Sequence, residues 1–126
     1  MTENEISHII IGAAIEVHKV MGGPGLLEDV YEEAFCHELG LRGIHVSRQV
    51  DVPLMYKGCR LAKPLTLDVL IEEKVIVECK AAKEIHPVFE AQLLTYLRLT
   101  GLKLGLLINF GEAMVTQGIR RVVNGL

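Results

Sequence analysis

At 126 residues, half of them hydrophobic and 23% charged, the chain has the size of one domain (1–126) and the composition of a compact soluble protein. A formal net charge of −3 excludes a general basic field for coating nucleic acid, though not a metal-dependent site whose carboxylates lower the charge until a cation binds. No apolar run reaches membrane-span length, the start Met1-Thr2-Glu3-Asn4-Glu5 is acidic, and Cys36, Cys59 and Cys79 are too scattered for a disulfide framework or zinc site, so a cytoplasmic location is expected.

Thr2 followed by Glu5 reads as a capping box opening a first helix. Ile6, Ile9, Ile10, Ala13, Val17 and Val20 recur at helical spacing as one buried face. Ile11, Ile15 and His18 form a second apolar patch, so this helix is expected to be covered on both sides, with a second copy of the chain as a candidate cover. His18 reads as a packed histidine rather than a ligand. Gly22-Gly23-Pro24-Gly25 breaks the helix, and Pro24 suits the first turn of the next one, which runs to about Leu39 with Gly40 as a left-handed cap. In that second helix Glu28 falls on the stripe of Tyr31, Phe35 and Leu39, whereas Glu32 lies at its edge. A carboxylate on a core-facing stripe needs a partner; a first-turn dipole role is the plainer account of it.

Residues 44–50 and 52–56 read as two strands, or as one bent near Asp51-Val52-Pro53. Lys57-Gly58 is a turn, the stretch Cys59 to Pro64 is ambiguous, and residues 65–71 and 75–81 read as a strand pair. Pro87 opens a third helix ending at Gly101, in which Gln92 and Tyr96 share a face with Phe89 and Leu99. Residues 102–109 form an apolar run expected in a strand covered on both faces, and residues 116–123 a last strand. This order predicts a mixed α/β fold, with the third helix as a crossover between strands of one sheet.

The strand pair carries the chemistry. Side chains alternate, so Glu78 and Lys80 share a face. If Glu72-Glu73-Lys74 is a three-residue loop, Asp68 stands opposite Glu78 on that face; a two-residue loop would send it to the other side. Two facing carboxylates repel unless compensated, and a divalent cation with oxygen ligands, magnesium or manganese, is one solution. Lys80 beside them could orient a water or stabilise phosphate charge. Taken alone, a structural ion pair is the simpler reading of Asp68, Glu78 and Lys80. Lys83, Arg98, Lys103, Arg120 and Arg121 are further candidates for phosphate contacts, each singly also an ordinary surface charge.

Residues 25–31, Gly-Leu-Leu-Glu-Asp-Val-Tyr, resemble the signature of the GxxExxY family. Asp68, Glu78-Cys79-Lys80 and Gln92-Leu93-Leu94-Thr95-Tyr96 are similar to the motifs of the PD-(D/E)XK nuclease superfamily. Leu67 stands where that superfamily usually has proline, and the glycine loop is one residue longer than usual. The resemblance implies a restriction-endonuclease-like core, a mixed sheet flanked by helices. It implies that Asp68 and Glu78, joined by Glu28, bind Mg²⁺ or Mn²⁺, that Lys80 assists the attacking water, and that Gln92 and Tyr96 lie beside the site as in RecB-type nucleases. No iron–sulphur cluster is expected. The implied activity is hydrolysis of a nucleic acid, DNA ahead of RNA, and the alternative is a catalytically inactive homodimer that keeps the fold to bind protein or nucleic acid.

Overall fold

A computed structural model describes residues 1–126. Helix α1 (Glu3–Val20) opens on the expected capping box: the Glu5 N–H donates to Thr2 Oγ1 and the Thr2 N–H to Glu5 Oε1, both at 3.2 Å. Helix α2 (Glu28–Leu41) follows the glycine loop, then β1 (Val46–Val52) and a small hairpin of β2 (Met55–Tyr56) and β3 (Cys59–Arg60). The next elements are β4 (Leu65–Ile71), β5 (Val75–Lys80), helix α3 (Val88–Thr100), β6 (Leu104–Asn109), a 3₁₀ turn (Val115–Gly118) and β7 (Ile119–Val123).

Five strands form one mixed sheet in the order β1-β4-β5-β6-β7. Only β5 and β6 run parallel, because α3 carries the chain across between them. Helices α1 and α2 bury Ile6, Ile10, Tyr31 and Phe35 against Val69, Val77, Cys79 and Leu106 on one face. Helix α3 buries Leu93 and Leu97 against Ile76 and Leu107 on the other. That contact is close enough to require a glycine: a Cβ on Gly105 would lie 2.8 Å from Leu93. The mixed sheet covered on both faces is the architecture expected from the sequence, and no helix is long and apolar enough to cross a membrane.

Several boundaries differ from expectation. Helix α2 starts at Glu28, not near Pro24, because Gly22, Gly23 and Gly25 all take positive φ. Gly40 is helical, and the left-handed residue is Gly43. His18 packs with the main face of α1, its Nε2 3.2 Å from the Phe110 carbonyl and 3.0 Å from that of Glu112, whereas Ile15 and Val20 remain exposed. The last strand starts at Ile119, since residues 115–118 coil into the 3₁₀ turn.

The β1–β4 pair holds the feature that positions the site. In β4, Val69 and Ile71 pack on the α1–α2 side, whereas Leu65 and Leu67 pack on the α3 side. In β1, Val46 packs on the α1–α2 side and Val50 and Val52 on the α3 side. Regular alternation would keep each set on one face. The switch falls between Arg48 and Val50, where Gln49 has φ 50°, and between Leu67 and Val69, at Asp68. Pairing of β4 with β5 also ends there, at Val69 and Val77, while β5 stays paired with β6 as far as Lys80. The sheet therefore splays open at Asp68.

Candidate active site

The loop between β4 and β5 is Glu72-Glu73-Lys74, and the pairs Ile71–Val75, Leu70–Ile76 and Val69–Val77 carry the register on to Asp68 opposite Glu78. This is the arrangement that the three-residue loop implies. Glu78 is 6% exposed, and its Oε1 is buried without a hydrogen-bond partner. Burial, and then the adjoining Asp68 carboxyl, push the Glu78 carboxyl up to about 9, so Glu78 keeps its proton where an ordinary glutamate has lost it. Asp68 is only half-buried, at the splayed end of β4, and so meets both Glu78 and the cleft beneath α2.

Lys80 is half-buried, with Nζ 4.3 Å above the centre of the Phe89 ring at the start of α3. That cation–π contact holds the ammonium between the carboxylates and α3. Tyr96 is half-buried on the same helix, and its hydroxyl pKa is raised by burial and by the negative charge of Glu78 and Asp68. The Gln92 side chain beside it acts in the opposite direction. The shared apolar face expected for α3 is incomplete: Gln92 and Leu99 are exposed, and Leu93 and Leu97 form the buried stripe. Tyr96 nevertheless lies close enough to Asp68 and Glu78 for their charge to act on it, with Gln92 beside it.

The expectation for α2 needs the larger correction. Glu28 is exposed at the first turn, and the buried carboxylate is Glu32, one turn later, at 6% exposure. The stripe assigned from Tyr31, Phe35 and Leu39 passes beside Glu32 because the helix turns that flank toward β1. Glu32 Oε2 accepts from Arg48 Nη2 at 2.8 Å, Arg48 Nε at 3.2 Å and Gln49 Nε2 at 3.3 Å. Glu28 still lies beside Asp68 in the same cleft. Its pKa is raised by partial burial and by Asp68 and Glu32, and lowered by Lys80, so all of these groups act on one carboxyl. Glu28, Asp29, Glu32, Arg48, Gln49 and Asp68 line a cleft of about 440 Å³ without one apolar side chain.

Two supports were not recognised from the sequence as such. The Tyr31 hydroxyl donates to the Gly23 carbonyl at 2.7 Å and accepts from the Leu26 N–H at 3.1 Å, tying the glycine loop to α2, while its ring stacks on Phe110 at 4.9 Å. The Asn109 carboxamide, fully buried, bonds both the N–H and the carbonyl of Ala82, fixing the chain just after Lys80 to the end of β6. Nothing local in the sequence marks either contact, since the partners are eight and 27 residues away.

A family model for the PD-(D/E)XK nuclease superfamily matches residues 4–122. The chain belongs to that superfamily. No curated protein and no solved structure matches it significantly. In this superfamily member the donors suit a hard divalent cation: the Asp68–Glu78 pair, the unpartnered Glu78 oxygen and Glu28 nearby are all carboxylate oxygens. As the side chains stand, no three of them are gathered into a ready-made coordination set.

Proposed function

We propose that this superfamily member is a divalent-metal-dependent nuclease, acting as one domain over residues 1–126 on a phosphodiester of nucleic acid, DNA in preference to RNA. The observation that carries the reading is the buried, unpartnered Glu78 Oε1 facing Asp68 across the splayed strands. A scaffold gains nothing from such a pair, because a buried acceptor without a partner costs about 1–3 kcal/mol. Asp68 and Glu78 would hold Mg²⁺ or Mn²⁺, with Glu28 swinging in from the first turn of α2. The cation supplies charge neutralisation at the phosphate and a more acidic water.

The remaining work belongs to the chain. Lys80, restrained by Phe89, donates to the attacking water and aims its lone pair at phosphorus. Tyr96 keeps its proton and offers it as a hydrogen bond to a non-bridging phosphate oxygen, with Gln92 setting the hydroxyl's direction. The exposed apolar residues Ile15 and Val20 on α1, with Met21 just after it, favour a second reading, a non-catalytic homodimer built on the same fold.

Calorimetry with Mg²⁺ and Mn²⁺ on the native protein and on Glu78→Gln, alongside cleavage assays on single- and double-stranded DNA and RNA, separates the two. Metal binding and cleavage, both lost in Glu78→Gln, support the nuclease. Absence of Glu78-dependent metal binding sinks it in favour of the homodimer.

A further inference from the structure

Glu32, Arg48 and Gln49 form a polar cluster at the wall of the cleft, buried only at Glu32, that the chemistry at Asp68 and Glu78 does not use. Glu32 is nine-tenths buried, and the three donors from Arg48 and Gln49 converge on one of its oxygens. The arrangement is expensive. Gln49 sits at φ 50° inside a strand, where a non-glycine residue is strained, and interrupts the β1–β4 ladder opposite Asp68. Without that left-handed residue β1 would keep its alternation past Arg48, and the splay beside Asp68 would lose its β1 side.

Arg48 is the member left with something to offer. Its side chain is 39% exposed and lines the cleft that Asp68 also lines. Two of its N–H groups go to Glu32 and the rest have no partner within the protein. Glu32 holds the guanidinium plane fixed, as a bidentate oxyanion receptor requires, and cancels its charge. Arg48 pairs with Val69 next to Asp68 and reaches the cleft from the α2 side of the sheet, while Lys80 and Tyr96 approach from the α3 side.

We infer that Arg48, locked by Glu32 and by the strained Gln49, is an anchoring subsite for the phosphate next to the one cleaved, so that the cleft takes a polynucleotide strand rather than an isolated phosphodiester. The inference rests on the nuclease reading and deepens it. Arg48 touches substrate; Glu32 and Gln49 position Arg48.

The test uses the full chain with Ca²⁺, which permits binding without turnover, and a fluorescein-labelled single-stranded oligodeoxynucleotide titrated across a salt series. Arg48→Lys keeps the charge against Glu32 and loses the fork. Arg48→Met combined with Glu32→Gln removes the pair without stranding a buried charge, and thermal melting establishes that each variant is folded. Arg42→Met, at the far end of α2, is the control. The subsite predicts affinity about tenfold weaker for both cleft variants at every salt concentration, with Arg42→Met binding like the native protein. Under Mg²⁺ it predicts a raised KM for the oligonucleotide and a smaller loss on bis(p-nitrophenyl) phosphate, which has no neighbouring phosphate. Native-like binding by both variants overturns the subsite and leaves the nuclease standing. Native protein that neither binds nor cleaves overturns the nuclease reading and the subsite with it.

Discussion

At the scale of single residues, the site is dominated by one proton. Glu78 holds it up to about pH 9 in the folded chain, whereas an unfolded glutamate releases it near 4.5. The folded state therefore binds more protons between those values, and Glu78's contribution to stability is whole below pH 4.5 and lost as the pH rises through about 9. Glu78→Gln, neutral at every pH, should melt like the native protein near pH 4 and be more stable by about 1–3 kcal/mol at pH 8, the cost of the group it replaces. Melting curves across that range check the sign. The same substitution should abolish metal-dependent cleavage, so stability and activity would move in opposite directions. Phe89→Leu tests the seat of Lys80: losing the cation–π contact should cost about 0.5–1 kcal/mol of stability and lower kcat with KM nearly unchanged, measured by steady-state kinetics.

Elements are held in place by contacts that their own sequences only partly encode. The sequence left the β4–β5 loop open between three residues and two, and the Ile71–Val75 pair decides for three, from which the Asp68–Glu78 register follows. Its backbone is less well suited: Glu72 and Glu73 both take positive φ, 51° and 55°, around the bond from the Lys74 N–H to the Ile71 carbonyl. Glycine carries no penalty there, so Glu73→Gly should stabilise the protein by about 1 kcal/mol in urea denaturation and leave activity unchanged. Helix α3 sets the opposite demand. Gly105 lets Leu93 approach β6, and Gly105→Ala should destabilise by about 1–3 kcal/mol as α3 is pushed outward, carrying Phe89 and Tyr96 away from Lys80 and Glu78. A fall in kcat larger than the stability loss accounts for would show that α3 positions the site.

For the whole molecule, charge decides the conditions of encounter. A chain of net charge −3, whose cleft is lined by Glu28, Asp29, Glu32 and Asp68, repels a polyanion. Oligonucleotide binding should therefore be undetectable in EDTA at 150 mM salt and appear with millimolar Ca²⁺ or Mg²⁺, by fluorescence anisotropy. Tight binding without a divalent cation would point to a purely basic interface elsewhere.

The sequence by itself determined the order of elements, the capping box of α1 and the placing of Glu78 and Lys80 on one face of a strand. Each depends on a local period or a short spacing, and such signals survive without knowledge of the rest of the chain. Tertiary structure alone decided that Glu32 rather than Glu28 is the buried acid of α2, because burial there depends on which flank meets Arg48 of β1. It also decided where the sheet opens. Strict alternation gives no reason for β1 and β4 to change faces, and they do so at Gln49 and Asp68 because two helices cover one side of the sheet and one helix the other. That switch, a product of packing across the whole sheet, leaves Asp68 facing both Glu78 and the cleft.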